Sequence, residues 1–120
     1  MKKVLTVDDS PMVLNLLEIA LSMEDYEVDQ ANNPKEAIEK VKENTYDFGI
    51  FDVNMPGMTG LELIPIVKSM ENGKNMKIIM LTTESGDEMQ KQAKQAGAKA
   101  WLIKPFKDDD LIQLMSALSK

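Results

Sequence analysis

The side chains able to do chemistry in this chain recur at one kind of place, just beyond short apolar runs. Asp8 and Asp9 follow Lys3–Val7, Asp52 follows FGIF at 48–51, Thr82 and Thr83 follow KIIML at 77–81, and Lys104-Pro105 follows AWLI at 100–103. Three carboxylates held together would repel. Two unit charges ~4 Å apart cost roughly 4 kcal/mol at an effective dielectric of 20. Such a set either raises its own pKa values or takes up a cation. The chain has no histidine and no cysteine, which excludes imidazole and thiolate catalysis and structural zinc. Only oxygen ligands remain, and among hard cations Mg²⁺ is the natural occupant, because it accepts one or two carboxylates and leaves positions for phosphate oxygens. A lysine charge and a threonine hydroxyl beside such carboxylates fit phosphoryl transfer, with one carboxylate as the nucleophile.

Each residue alone has a plainer explanation. Asp8 or Asp9 could cap a helix, Asp52 could be a turn aspartate before Val-Asn-Met-Pro-Gly, and Lys104 could be one more solvated lysine. Thr82 could simply end a strand or cap a helix. Their common location favours a site, because an open parallel sheet binds ligands beyond the carboxyl ends of its strands.

Those strands must exist for the residues to meet. Lys3–Val7, Tyr26–Gln30, Phe48–Phe51, Lys77–Leu81 and Ala100–Ile103 read as strands. The first, third and fourth are mostly continuous apolar runs, as expected for strands buried on both faces. The second alternates and carries charge, which suits an edge. Helical spacing fills the gaps: one helix from Pro11 with Ser10 as N-cap, then Pro34–Glu43 capped by Asn33, about Gly60 to Met70, Asp87–Ala96 ending at Gly97, and Asp108–Leu118. Proline at N1 and glycine at C′ are favourable end signals. Pro65 is the one local conflict, costing ~3 kcal/mol in a helix interior. The fourth helix turns only Met89, Ala93 and Ala96 inward, so it is the element expected to shift most readily. Strict strand–helix alternation predicts an α/β fold, a doubly wound, flavodoxin-like, five-stranded parallel sheet with helices on both faces.

Composition bounds the rest. The 120 residues suit one domain spanning 1–120. All 14 basic residues are lysine, against 20 acids, for a net charge of −6. That balance disfavours direct nucleic-acid binding. No membrane-length apolar run and no signal-peptide pattern occur, so a cytoplasmic location is expected.

From VLTVDDS through FDVNMPGMTGLEL and IIMLTTES to WLIKPF, the chain resembles the receiver domain of two-component response regulators, and most of all the stand-alone chemotaxis responders, in NMPGMTGLEL and Glu84. The resemblance implies that Asp52 is the phosphoacceptor, fed by a separate histidine kinase. It implies that Asp9, Asp52 and the Asn54 carbonyl ligate Mg²⁺, with Asp8 acting through a coordinated water. Thr82 and Lys104 would bind the phosphoryl oxygens. In the family an aromatic residue on the fifth strand turns inward as the threonine moves, reshaping the surface of the fourth helix, fifth strand and fifth helix for a flagellar switch protein or another downstream protein. Trp101 holds that position, where tyrosine or phenylalanine is usual. Two readings of it stand, a rotamer switch and a packing residue. Asn54, Thr83 and Glu84 occupy positions that tune dephosphorylation and access by a phosphatase.

Within this reading the chain is a switch rather than an enzyme, one that assists its own phosphorylation and dephosphorylation. Its end two residues past Leu118 suggests no attached output domain, although a phosphorelay intermediate or a receiver fragment of a longer regulator would look the same. An Mg²⁺-dependent aspartyl-phosphate phosphohydrolase would need a second acid two residues after its nucleophile, where this chain has Asn54. A nucleotide-binding module would need a glycine-rich turn in place of VDDSP.

Overall fold

The computed structural model describes residues 2–83 and 86–119. The chain alternates β1 (Lys3–Val7), α1 (Pro11–Ser22), β2 (Glu27–Ala31), α2 (Pro34–Glu43), β3 (Phe48–Asp52), α3 (Gly60–Lys68), β4 (Lys77–Thr82), α4 (Asp87–Ala96), β5 (Ala100–Ile103) and α5 (Asp108–Leu118). All five strands are parallel, in the order β2-β1-β3-β4-β5. The charged second strand is at an edge, as its alternation predicts. It begins one residue later than expected, at Glu27, and extends through Ala31.

Strand periodicity divides the core in two. Leu5, Val7, Phe51, Ile78 and Met80 join the cluster that includes Ala37 and Val41 of α2, Leu63, Ile64 and Val67 of α3, and Ala93 of α4. Val4, Phe48, Ile50, Ile79 and Leu81 face the other way, onto Leu17 and Leu21 of α1 and Leu111 and Met115 of α5. Both faces of the three central strands are therefore covered, which explains their continuous apolar runs.

The predicted helix ends are present. The Ser10 hydroxyl accepts from the Val13 amide, the Asn33 side chain accepts from the Glu36 amide, and Gly97 takes φ 115°, the left-handed region glycine enters freely. Helix α3 runs through Pro65 and stops at Lys68, two residues short of the expected end. Its start is held by a capping box, with Thr59 and Glu62 each satisfying the other's backbone amide. That cap offsets part of the hydrogen bond lost at the proline. Helix α4 has no side-chain cap bond, and Ala93 is its only fully buried residue.

At the opposite end of the sheet from the strand carboxyl ends, buried Tyr46 donates its hydroxyl to Asp29 at 2.6 Å. Burial first, then the bond to Asp29, hold the phenol well above its ordinary pKa.

Candidate phosphoryl-transfer site

Strand order explains why the acids meet. From β1 the chain steps outward to β2, then crosses back past β1 to β3. The β1–β3 boundary is thus the switch point, where connections diverge and leave a crevice at the carboxyl ends. Val7 is level with Phe51 in the register, so Asp8 and Asp52 emerge side by side. Carboxylate oxygens of Asp8, Asp9 and Asp52 lie within 4.8 Å of one another. Asp8 is fully buried and Asp52 nearly so, whereas Asp9 is exposed. The difference follows from local structure. Asp8 Oδ1 accepts the Ser10 amide at 2.9 Å, which turns its carboxylate back into the loop ahead of α1.

Lys104 reaches this pair from two strands away. Its Nζ lies 3.1 Å from Asp52 Oδ1 and 3.1 Å from Asp8 Oδ2. Strands in a sheet are ~4.8 Å apart, so a group leaving β5 must pass β4 to reach β3, a gap that the lysine side chain and the Asp52 side chain close between them with a 3.1 Å contact. Its backbone is tied in register by the Lys104 amide donating to the Thr82 carbonyl at 2.7 Å. The Lys104-Pro105 peptide is cis. Burial alone would lower the lysine pKa, but the hydrogen bond to Asp52 and the close charges of Asp52 and Asp8 together outweigh it and hold the ammonium above its usual range. Asp52 is pushed above the ordinary carboxylate range, chiefly by burial, with Lys104 pulling the other way.

Among the described residues, one positive charge sits among three negative ones. Asp8 Oδ2 is buried without a bond of hydrogen-bonding geometry, although the Lys104 ammonium is close. An exposed carboxylate beside two buried ones, all with oxygen donors and an excess of negative charge, fits a hard divalent cation. The three acids thus form a pocket whose donors suit Mg²⁺.

Thr82 ends β4 and is buried, while Thr83 is exposed beside Lys104 and Asn54 is exposed just past Asp52. The Asn54 amide makes a long contact of 3.4 Å to Asp52 Oδ1. Glu84 lies outside the described residues. Trp101 is half-buried, packs against the core under α2–α4, and borders a shallow groove with Lys94, Gly97, Ala98 and Lys99.

Two positioning features went unnoticed in the sequence. The Thr59-x-x-Glu62 box was legible as a capping signal. Gly60 was not: a Cβ there would lie 2.2 Å from the Asp52 carbonyl oxygen, and its amide donates to the Val53 carbonyl at 2.9 Å. The loop after Asp52 folds back so tightly that only glycine fits.

The response regulator receiver domain profile matches residues 4–116. The transcriptional regulatory protein ResD of Bacillus subtilis is 34% identical over 116 residues, covering 97% of this chain and 47% of that protein. The chain thus spans about half of that relative. The structure of the Vibrio cholerae chemotaxis protein CheY4 superposes with a TM-score of 0.94 at 38% identity, covering 98% of both chains. The response regulator TrrA of Thermotoga maritima, solved in complex with Mg²⁺-BeF, gives 0.86 at 36% identity over 98% of this chain and 99% of that one. With the acid cluster at the switch point and the lysine reaching into it, the chain belongs to the response regulator receiver domains, the CheY-like signalling switches of two-component systems.

Proposed function

We propose that Asp52 accepts a phosphoryl group from a phosphohistidine on a separate kinase, and that the modified chain signals to a downstream protein through the α4–β5–α5 surface. The observation that carries this reading is the contact of one ammonium with two buried carboxylates, Lys104 to Asp52 and Asp8 at 3.1 Å each. An Asp52 oxygen attacks phosphorus in line, and the imidazole leaves with the bonding pair. Asp9, Asp52 and the Asn54 carbonyl would hold Mg²⁺, with Asp8 contributing through water. The ion supplies charge neutralisation for the acids and the phosphoryl oxygens. Lys104 holds one phosphoryl oxygen, and the Thr82 hydroxyl donates to another.

The new charge draws Thr82 toward Asp52 and frees space beside Trp101. Helix α4, with a single fully buried residue and no side-chain cap, is the element with the least packing to oppose a shift. Asn54, Thr83 and Glu84 set how readily water or a phosphatase reaches the acyl phosphate. Similarity to CheY4 across 98% of both chains supports chemotaxis, with a flagellar switch protein as the partner. The half-length match to ResD favours a second reading, the receiver portion of a longer regulator.

The chemistry is tested with acetyl phosphate and Mg²⁺, reading modification by intact mass. Wild type is expected to be labelled and Asp52→Asn to stay unlabelled. Full labelling of Asp52→Asn would place the acceptor elsewhere. Stronger binding of a flagellar switch peptide to the beryllofluoride form than to the unmodified form supports the chemotaxis assignment, and equal or absent binding supports a phosphorelay intermediate or the receiver portion of a longer regulator.

A further inference from the structure

A groove of about 370 Å³ lies between the amino-terminal half of α1 and the segment that follows β5. Met12, Val13 and Leu16 of α1 line it together with Pro105 and Phe106, and Lys104 and Thr83 complete the lining next to them. Lys104 is the residue whose ammonium touches Asp52, so the groove and the acceptor share a wall. Small-molecule sites run from about 300 to 1,000 Å³ and are mostly apolar with a few polar groups fixing orientation. This groove matches at the small end, with Lys104 the cation among its lining residues. Met12 and Leu16 remain 71% and 51% exposed, so apolar surface there is still open to cover.

We propose that this groove receives the hydrocarbon tail of a small acyl phosphate, making the chain selective for longer aliphatic acyl phosphates over acetyl phosphate as direct phosphodonors. The inference rests on Asp52 being the acceptor and adds the donor's chemical class. In the transfer an Asp52 carboxylate oxygen forms a bond to phosphorus. The bond from phosphorus to the acyl oxygen breaks, and the fatty carboxylate leaves with the electron pair, with no proton or redox partner needed. Lys104 meets the phosphoryl group, and the tail lies against Leu16, Pro105 and Phe106. Asp108 adds a negative charge to the lining, which disfavours a tail ending in its own carboxylate.

The test compares acetyl, propionyl, butyryl and succinyl phosphate at equal subsaturating concentration with Mg²⁺, measuring Asp52 labelling rates by intact mass. The aliphatic donors share similar leaving-group acidity, so their ratio reads tail binding. Full burial of a methylene corresponds to about a fourfold gain, so a half-open groove gives about two- to threefold per methylene from acetyl to butyryl. Succinyl phosphate is expected to be slower than butyryl phosphate. Leu16→Ser, at a half-exposed helix position, is expected to shrink the butyryl-to-acetyl ratio toward one. Without any transfer, titration with butylphosphonate is expected to move the Leu16 and Phe106 amide resonances at lower concentration than methylphosphonate does. A flat or falling series with Asp52 still labelled by acetyl phosphate overturns the groove assignment and leaves the receiver reading standing. An undiminished ratio in Leu16→Ser also overturns it. No labelling of Asp52 by any donor overturns both.

Discussion

Replacing Lys104 with methionine keeps most of the stem and removes the cation that contacts Asp8 and Asp52. Each 3.1 Å contact to Asp8 and Asp52 is worth roughly 5 kcal/mol of raw attraction at an effective dielectric of 20. Desolvation of the ions takes back most of it, and removing one partner of a buried pair typically costs ~3–5 kcal/mol. The Lys104 side chain is 21% exposed and burial already pushes Asp52 above the ordinary carboxylate range, so a value at or just below the bottom of that range applies, about 2–3 kcal/mol. Divalent binding to the folded state alone recovers ~2.7 kcal/mol at 100 times its dissociation constant. Crowding without the lysine makes the folded site a stronger attractor for the ion. Urea unfolding of Lys104→Met is therefore expected to show a loss of about 2–3 kcal/mol without metal, and an increment on adding Mg²⁺ larger than that of wild type. In thermal scans the metal-free loss corresponds to roughly 4 °C per kcal/mol. Unchanged metal-free stability, or equal Mg²⁺ increments in the two proteins, would falsify the claim that these acids crowd one another and share an ion.

Two further substitutions probe the scaffold. Gly60→Ala gains the usual backbone entropy, ~0.4–1 kcal/mol. It also drives a Cβ to 2.2 Å from the Asp52 carbonyl, so a net loss of about 1–3 kcal/mol is expected in urea, together with slower labelling of Asp52. A neutral or stabilised Gly60→Ala would show that the loop gives way freely. Tyr46→Phe removes the 2.6 Å bond to Asp29 and should cost about 1–2 kcal/mol at pH 8. The Tyr46 phenol is held above its ordinary pKa, so its stabilisation is complete below the unfolded value of ~10 and is lost as pH climbs toward the folded one. Wild type should thus lose stability between pH 9.5 and about 11 more steeply than Tyr46→Phe, and parallel curves would contradict this.

Local patterns were enough for the elements. Continuous apolar runs marked β1, β3 and β4, and their two-residue period does divide two cores. Ser10, Asn33 and Gly97 marked helix ends because a capping bond or a left-handed turn depends on one residue and its near neighbours. The end of α3 was less legible, since Pro65 and the capping box at Thr59 pull the helix in opposite directions and local propensity does not say which prevails.

Residue type and order alone determined that this chain could assemble an oxygen-donor site with a lysine and a threonine, because alternation of strands and helices sends every strand end to the same edge. Tertiary structure decided how charge is apportioned there. Asp8 and Asp9 are neighbours of one type, yet one is buried against Lys104 and the other faces solvent. The need for glycine at 60 and the apolar groove between α1 and Pro105-Phe106 likewise arise from segments distant in sequence. Burial, close approach and ion pairing depend on distances between chain segments, and no window of sequence contains those distances.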